Sequence, residues 1–317
     1  MTTTKPILGI SACLLGHKVR YDGGHKADAF IINQLGAHFE YRPLCPETGI
    51  GLGVPRPTIR LMGEAESPHL VGVENADWDL TERMLAYADE QTPHLGDLCG
   101  FILKKSSPSC GMERVKVYPV KGGPAPRKGT GIFAQALMQA WPNLPVEEEG
   151  RLNDPVLREN FVNRVYVTLR WQNLMQEGLS AARLIEFHTR HKYLVMTHSQ
   201  AAYQRLGRGL SNLSGADLDA LAGAYFDELM QTLKRRVNRR RHVNVLQHIL
   251  GYLKKRIGRE DKEELVASIE SYRRGETPLV VPITLFRHYF RLHPDEYMSR
   301  QVYLNPHPDN LGLRNAI

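Results

Sequence analysis

The chain is poor in cysteine, with four in 317 residues. That excludes a disulfide-stapled scaffold and leaves thiols that are free, ligating or catalytic. No two of them stand at the C-x(2–4)-C spacing typical of structural zinc. No apolar run approaches the roughly 18 residues that a membrane span needs, so no membrane partner is expected. Internal repeats and low-complexity tracts are absent. The opening MTTTKPILGISACLLG is interrupted by Gly9, Ser11 and Cys13 and carries no export-type cleavage pattern. It reads as a strand, and a reducing, cytoplasmic compartment is expected.

What is present is an ordinary globular balance, 42% hydrophobic and 24% charged. The length has room for two domains, and the expected division is 1–150 and 151–317. Charge separates these halves: residues 1–150 carry 15 Lys+Arg against 17 Asp+Glu, and residues 151–317 carry 26 against 17. The excess is concentrated in Lys234, Arg235, Arg236, Arg239, Arg240 and Arg241, and again in Lys254, Lys255 and Arg256. Such a run is either a solvated helix face or a surface for a polyanion, which would relieve the repulsion among neighbouring cations.

The first half alternates strands and helices. Strands are expected at 6–11, 38–44, 58–65, 98–104 and 115–120, and helices at 27–35, 79–90 and 130–141. This order implies an α/β, Rossmann-like domain with a largely parallel sheet, whose ligands sit beyond the carboxyl ends of the strands. The second half is expected to be all-α, with helices near 153–176, 180–206, 214–238, 241–257, 260–274 and 282–291. Ser214 and Asp217 resemble a capping box with Asp in place of Glu. The tail from Tyr303 is expected to be irregular and to pack across another domain.

Cys13, Cys45 and Cys110 each follow a strand, so the sheet brings three thiols distant in sequence toward one crevice. Cys99 lies within the apolar LCGFIL stretch and reads as a small buried hydrophobe. Three thiolates in one pocket leave open zinc, an iron-sulfur cluster, a nucleophilic pair or unrelated structural thiols. Zinc is the weaker fit. A cubane held by three cysteines leaves one iron open to a soft sulfur ligand. His188, His191 and His198 recur at helical spacing and are read as packing residues, as are Trp78, Trp141 and Trp171.

The runs Ser11-Ala12-Cys13-Leu14-Leu15-Gly16 with Tyr21-Asp22-Gly23, Cys45-Pro46-Glu47, Gly51-Leu52-Gly53-Val54-Pro55-Arg56 and Ser107-Pro108-Ser109-Cys110-Gly111 resemble the thiouracil desulfidase (TudS) family. The segment EFHTRHKYLVMTHS, with His188, Lys192 and Tyr193, resembles the YbgA-like helical domain found fused to it. The fusion is similar to the tRNA 4-thiouridine desulfidases. The resemblance implies that Cys13, Cys45 and Cys110 ligate a 4Fe-4S cluster, with Glu47 as acid/base and Ser107 as a second catalytic residue. It implies hydrolytic, non-redox conversion of 4-thiouridine in tRNA to uridine, with release of sulfide. In the second half, Lys234, Arg235, Arg236, Arg239, Arg240, Arg241, Lys254, Lys255 and Arg256 are then candidate RNA contacts, and Lys104 and Lys105 candidate phosphate contacts near the cluster. Arg56 is either a substrate clamp or a surface charge. Thr48-Gly49-Ile50-Gly51 departs from the double glycine of free-base desulfidases. Two rival readings stand: a free 2-thiouracil desulfidase whose helical half dimerises, and a non-enzymatic nucleic-acid-binding iron-sulfur protein. An intact Glu47 beside Cys45 argues against the second.

Overall fold

The computed structural model describes residues 4–315 apart from 212, 214 and 216. The chain forms two compact units, one ending at Asn153 and the other starting at Asp154.

The first unit is α/β. Its strands are β1 (Ile7–Ser11), β2 (Glu40–Leu44), β3 (Ile59–Gly63), β4 (Pro68–Gly72), β5 (Gly100–Leu103), β6 (Val115–Tyr118), β7 (Arg127–Gly129) and β8 (Val146–Glu148). They form two four-stranded sheets in the orders β2-β1-β5-β8 and β4-β3-β6-β7. Every pairing in the first sheet is parallel, so all four strands end on the same side. Leu8, Ile10 and all of β5 are buried, which is why ILGI and GFIL read as continuous apolar runs rather than alternating ones. The second sheet pairs β3 with β4 and β6 with β7 antiparallel, an arrangement not expected from sequence. Three helices complete the unit: α1 (Pro46–Gly49), α2 (Thr81–Gln91) and α3 (Ile132–Ala140). Met84 and Ala88 of α2 and Phe133 and Leu137 of α3 join Leu61, Leu70 and Phe101 in one core. The helix expected at 27–35 is a short irregular piece, a π-turn at Phe30–Gln34 followed by a 3-10 turn at Leu35–Ala37.

The second unit is helical: α4 (Pro155–Gln176), α5 (Ala181–His198), α6 (Gln200–Gly209), α7 (Leu218–Leu233), α8 (Arg239–Leu253), α9 (Arg259–Arg274), α10 (Val280–Leu292) and α11 (Glu296–Ser299). No helix among the described residues is long and apolar enough to cross a membrane. Side-chain caps set the start of each of these helices except α9 and α10. Asp154 accepts from Val156 and Leu157 N–H with Pro155 in the first turn, and Ser180 caps α5. The single helix expected at 180–206 is two, because Ser199 leaves the helix and caps α6. Asp217 itself is the N-cap of α7, accepting from Ala220 N–H, rather than the third residue of a capping box; Ser214 lies outside the described residues. Asn238 caps α8, so Lys234–Asn238 is a connection between helices and not part of a helix face. The tail does not stay outside its own unit. Tyr303 and Leu304 are core residues, and Arg287 donates to Leu304 O.

Five histidines of this unit are held neutral by burial: His188, His198 and His307 are pushed down to about 4, and His191 and His242 to about 3. Unfolding lets each return toward its ordinary value near 6.5, so the unfolded chain binds more protons between these limits. Stability contributed by the neutral rings is therefore complete above about pH 6.5 and lost as pH falls toward 4. Urea unfolding followed by helical circular dichroism should lose several kcal/mol between pH 7 and 5; a flat profile would contradict this account.

Candidate active site

The carboxyl ends of β2, β1, β5 and β8 supply, in spatial order, Cys45, Cys13, the Lys104–Cys110 loop and Glu149. Chain direction across the sheet reverses between β1 and β5, the position at which parallel α/β sheets open a crevice. A cavity of about 390 Å³ lies there, lined by Cys13, Cys45 and Cys110 together with Glu47, Arg56, Lys104, Lys105 and Ser107. Cys99 is buried at the opposite, amino end of β5, a strand length of about 13 Å from that crevice.

Each thiol is positioned by local chemistry. Cys13 sits in a 3-10 turn closed by Gly16 in the left-handed conformation (φ 93°), and its carbonyl accepts from Lys26 N–H. Cys45 is the residue before α1, whose first residue is Pro46. Cys110 is fixed by Ser107, whose Oγ accepts from the N–H groups of Ser109 and Cys110 at 3.2 and 3.0 Å. The start of α3 closes the same loop from the other side: Gly131 N–H bonds Gly111 O, and Ile132 N–H bonds Pro108 O. A Cβ on Gly131 would fall 2.5 Å from Ser109 C and 2.8 Å from Cys110 N, both backbone atoms. Gly131→Ala is therefore expected to destabilise the unit by about 1–3 kcal/mol and to displace Cys110. Urea unfolding and a thiol-accessibility assay on Cys110 check it; an unperturbed variant would show that α3 does not hold the loop.

Burial pushes Cys13 up to about 11, with Cys45 adding repulsion, and burial followed by Glu47 pushes Cys110 up well above the usual thiol range. Among the described residues, no three His, Cys, Asp or Glu side chains are grouped so as to hold a metal ion. A single zinc requires donors within about 2.3 Å of a common point. A cluster carries its thiolates on separate irons and so fits a wider set. Three thiols on three neighbouring strand ends around one cavity form such a set.

Glu47 is held on both oxygens. Oε2 receives Arg56 Nη2 at 2.5 Å and Nε at 3.1 Å, and Oε1 receives Ser109 Oγ at 3.1 Å. Arg56 is itself buried and also donates to Gly53 O and Val19 O. It is therefore not a surface charge: Glu47 and two backbone carbonyls hold it in the cavity wall. Ser109, fully buried, is the serine in contact with Glu47, and sequence reasoning did not single it out. Ser107 lines the cavity, and with its oxygen accepting backbone bonds its hydroxyl hydrogen is left to donate. Lys104 pairs with Glu149, which also accepts from Lys105 N–H at 2.8 Å. Glu149 was missed because it ends an acidic triplet, Glu147-Glu148-Glu149, that looks solvated in sequence but is buried.

The basic residues of the helical unit divide into two groups. Arg235, Arg236, Arg240, Lys254 and Lys255 are exposed, without an ion pair among the described residues; Lys234 is exposed as well. Arg239 lies over the Tyr272 ring, Arg241 donates to His198 O at 2.5 Å, and Arg256 pairs with Asp295 at 2.9 Å. These three are engaged within the unit.

Comparison with known proteins matches both units. The 2-thiouracil desulfurase family model matches residues 8–149, and the model described as a protein of unknown function, DUF1722, matches residues 192–308. YbgA of Escherichia coli (strain K12) is 33% identical over 154 residues, covering 48% of this chain and 91% of that protein. YbbK of Bacillus subtilis (strain 168) is 31% identical over 156 residues, covering 46% and 97%. A solved structure of the [4Fe-4S]-dependent thiouracil desulfidase TudS is 30% identical over 48% of this chain and 95% of that one, with a TM-score of 0.37. The chain belongs to the 2-thiouracil desulfurase family through its first half, with a YbgA-like domain fused to it.

Proposed function

We propose that the chain is an iron-sulfur desulfidase that converts 4-thiouridine in tRNA to uridine, with Cys13, Cys45 and Cys110 holding a 4Fe-4S cluster. The observation that carries this reading is the convergence of three thiols and one fixed carboxylate on a single cavity at the switch point of the parallel sheet. When bound, a cluster with one iron free of protein thiolate supplies a soft Lewis-acid position for the substrate sulfur. The chain's own residues account for the proton transfers. Glu47 Oε1 exchanges its Ser109 bond for water, takes one proton as the water oxygen bonds the ring carbon and passes it to sulfur; the second proton, left on the new oxygen, follows by the same carboxylate as C=O forms and the C–S bond breaks. Arg56 keeps Oε2 in place and limits the reorganisation to the other oxygen. The balance is C=S plus H₂O giving C=O plus H₂S, with no net electron transfer. Ser107 supplies a hydrogen bond at the cavity wall, and exposed Lys105 offers positive charge to a phosphate there; Lys104 joins it only by giving up its pair with Glu149.

The RNA reading rests on the exposed cations Arg235, Arg236 and Arg240 and on the charge difference between the halves. A free 2-thiouracil substrate has the same family support, so the test compares the two. Arg235→Ala/Arg236→Ala/Arg240→Ala should weaken desulfuration of thiolated tRNA and spare free 2-thiouracil. The log-log salt slope for tRNA should become shallower by about 2–3, one increment of roughly 0.7–0.9 per lost phosphate contact. Equal losses on both substrates, or no change on tRNA, would remove RNA as the partner of this surface.

A further inference from the structure

A second cavity, of about 300 Å³, lies wholly within the helical unit and is lined by Glu159, Asn163, Arg239, His242, Tyr272 and Arg314, among others. Its walls carry more positive charge and more donors than they can satisfy. Arg314 is nine-tenths buried, and its backbone is in the left-handed region (φ 69°), uncommon for a residue with a side chain. One of its nitrogens donates to Tyr303 O, and Nε stands 3.5 Å from Glu159 Oε1. Neither that Nε nor Nη1 completes a hydrogen bond, and Arg239 Nε is also buried without an acceptor. Two guanidinium groups and one carboxylate thus line the same cavity. His198 and His242, also in the lining, are held uncharged by burial. Uncompensated buried charge and unmet donors are costly, and an acceptor-rich anion removes both costs.

We propose that this cavity is a binding site for a phosphomonoester, with Arg239 and Arg314 as the recognising residues. A planar guanidinium fork matches phosphate oxygens, and the volume admits a phosphate with an attached sugar. Tyr272 and Tyr303 supply apolar ring surface beside the two arginines, at 5.6 Å from Arg239 and 5.2 Å from Arg314 respectively. The site is separate from the cysteine cavity and does not rest on the desulfidase reading. Phosphomonoesters occur on free nucleotides and at RNA ends, and the test includes both.

Calorimetric titration of the full chain with inorganic phosphate, uridine 5′-monophosphate and uridine is the direct experiment. Phosphate and the nucleotide should bind and uridine should not. Arg239→Gln should weaken nucleotide binding at least tenfold, whereas Arg259→Ala, at an exposed arginine outside the cavity, should leave it unchanged. Glu159→Gln, which removes the competing carboxylate, should tighten it, and decides the matter if Arg239→Gln fails to fold. Oligouridylate with a 5′-phosphate or a 5′-hydroxyl separates the sources: preference for the phosphorylated end assigns the site to RNA termini, and binding of the nucleotide alone assigns it to free nucleotides. Absence of binding by both phosphate and nucleotide, loss of binding in the exposed-arginine variant, or failure of Glu159→Gln to tighten it would overturn the proposal.

Discussion

Cys13→Ser, Cys45→Ser and Cys110→Ser are each expected to give protein that lacks iron-sulfur absorption after anaerobic reconstitution and releases no sulfide, whereas Cys99→Ser should keep both. The contrast follows from position. Three thiols stand at the carboxyl ends of β1, β2 and β5 around one cavity, while Cys99 precedes β5 at its other end. All but Cys45 are buried, so burial alone does not separate ligands from packing residues. Visible absorption and iron content check the set; bleaching by Cys99→Ser to the same extent would contradict the three-ligand assignment.

Glu47→Gln should retain the cluster colour and lose roughly 10²–10⁴-fold in kcat, the usual contribution of a positioned acid/base. Because Arg56 grips only Oε2, Arg56→Lys should keep the charge but lose the two-pronged contact and give a smaller fall in kcat. Single-turnover kinetics on reconstituted protein distinguish the two variants. Turnover of Glu47→Gln within a factor of about two would remove Glu47 from the mechanism, as that is far below an acid/base contribution.

The convergence of Cys13, Cys45 and Cys110 on one cavity was legible in the sequence because strand ends are marked by where apolar or alternating runs stop, and each of the three follows such a stop. The fourth strand of that sheet was not legible. Val146–Glu148 is three residues long, and two of them are acids whose burial is supported by Arg151 and by backbone N–H groups such as that of Met112. Half of the second sheet was hidden for a similar reason: β3 and β6 coincide with expected strands, whereas β7 is Arg-Lys-Gly and β4 begins at Pro68, neither of which shows strand alternation. Arg56 and Ser109 carried no sequence signal for their contact with Glu47, since a buried ion pair between residues 47 and 56 depends on how the intervening loop turns. The basic run at 234–241 was legible as charge but not as structure. Asn238 interrupts it as a helix cap, and only part of the run remains available to a partner.

The most direct test of the central claim is sulfide release by the full chain with and without its cluster. Anaerobically reconstituted protein, carrying roughly four irons per chain, would be given tRNA containing 4-thiouridine, and loss of the thiolated base would be measured alongside sulfide. One sulfide per base converted, only in the reconstituted sample, is the predicted result. Conversion by iron-free protein at the same rate, or none by the cluster-loaded protein on either thiolated tRNA or free thiouracil, would contradict it.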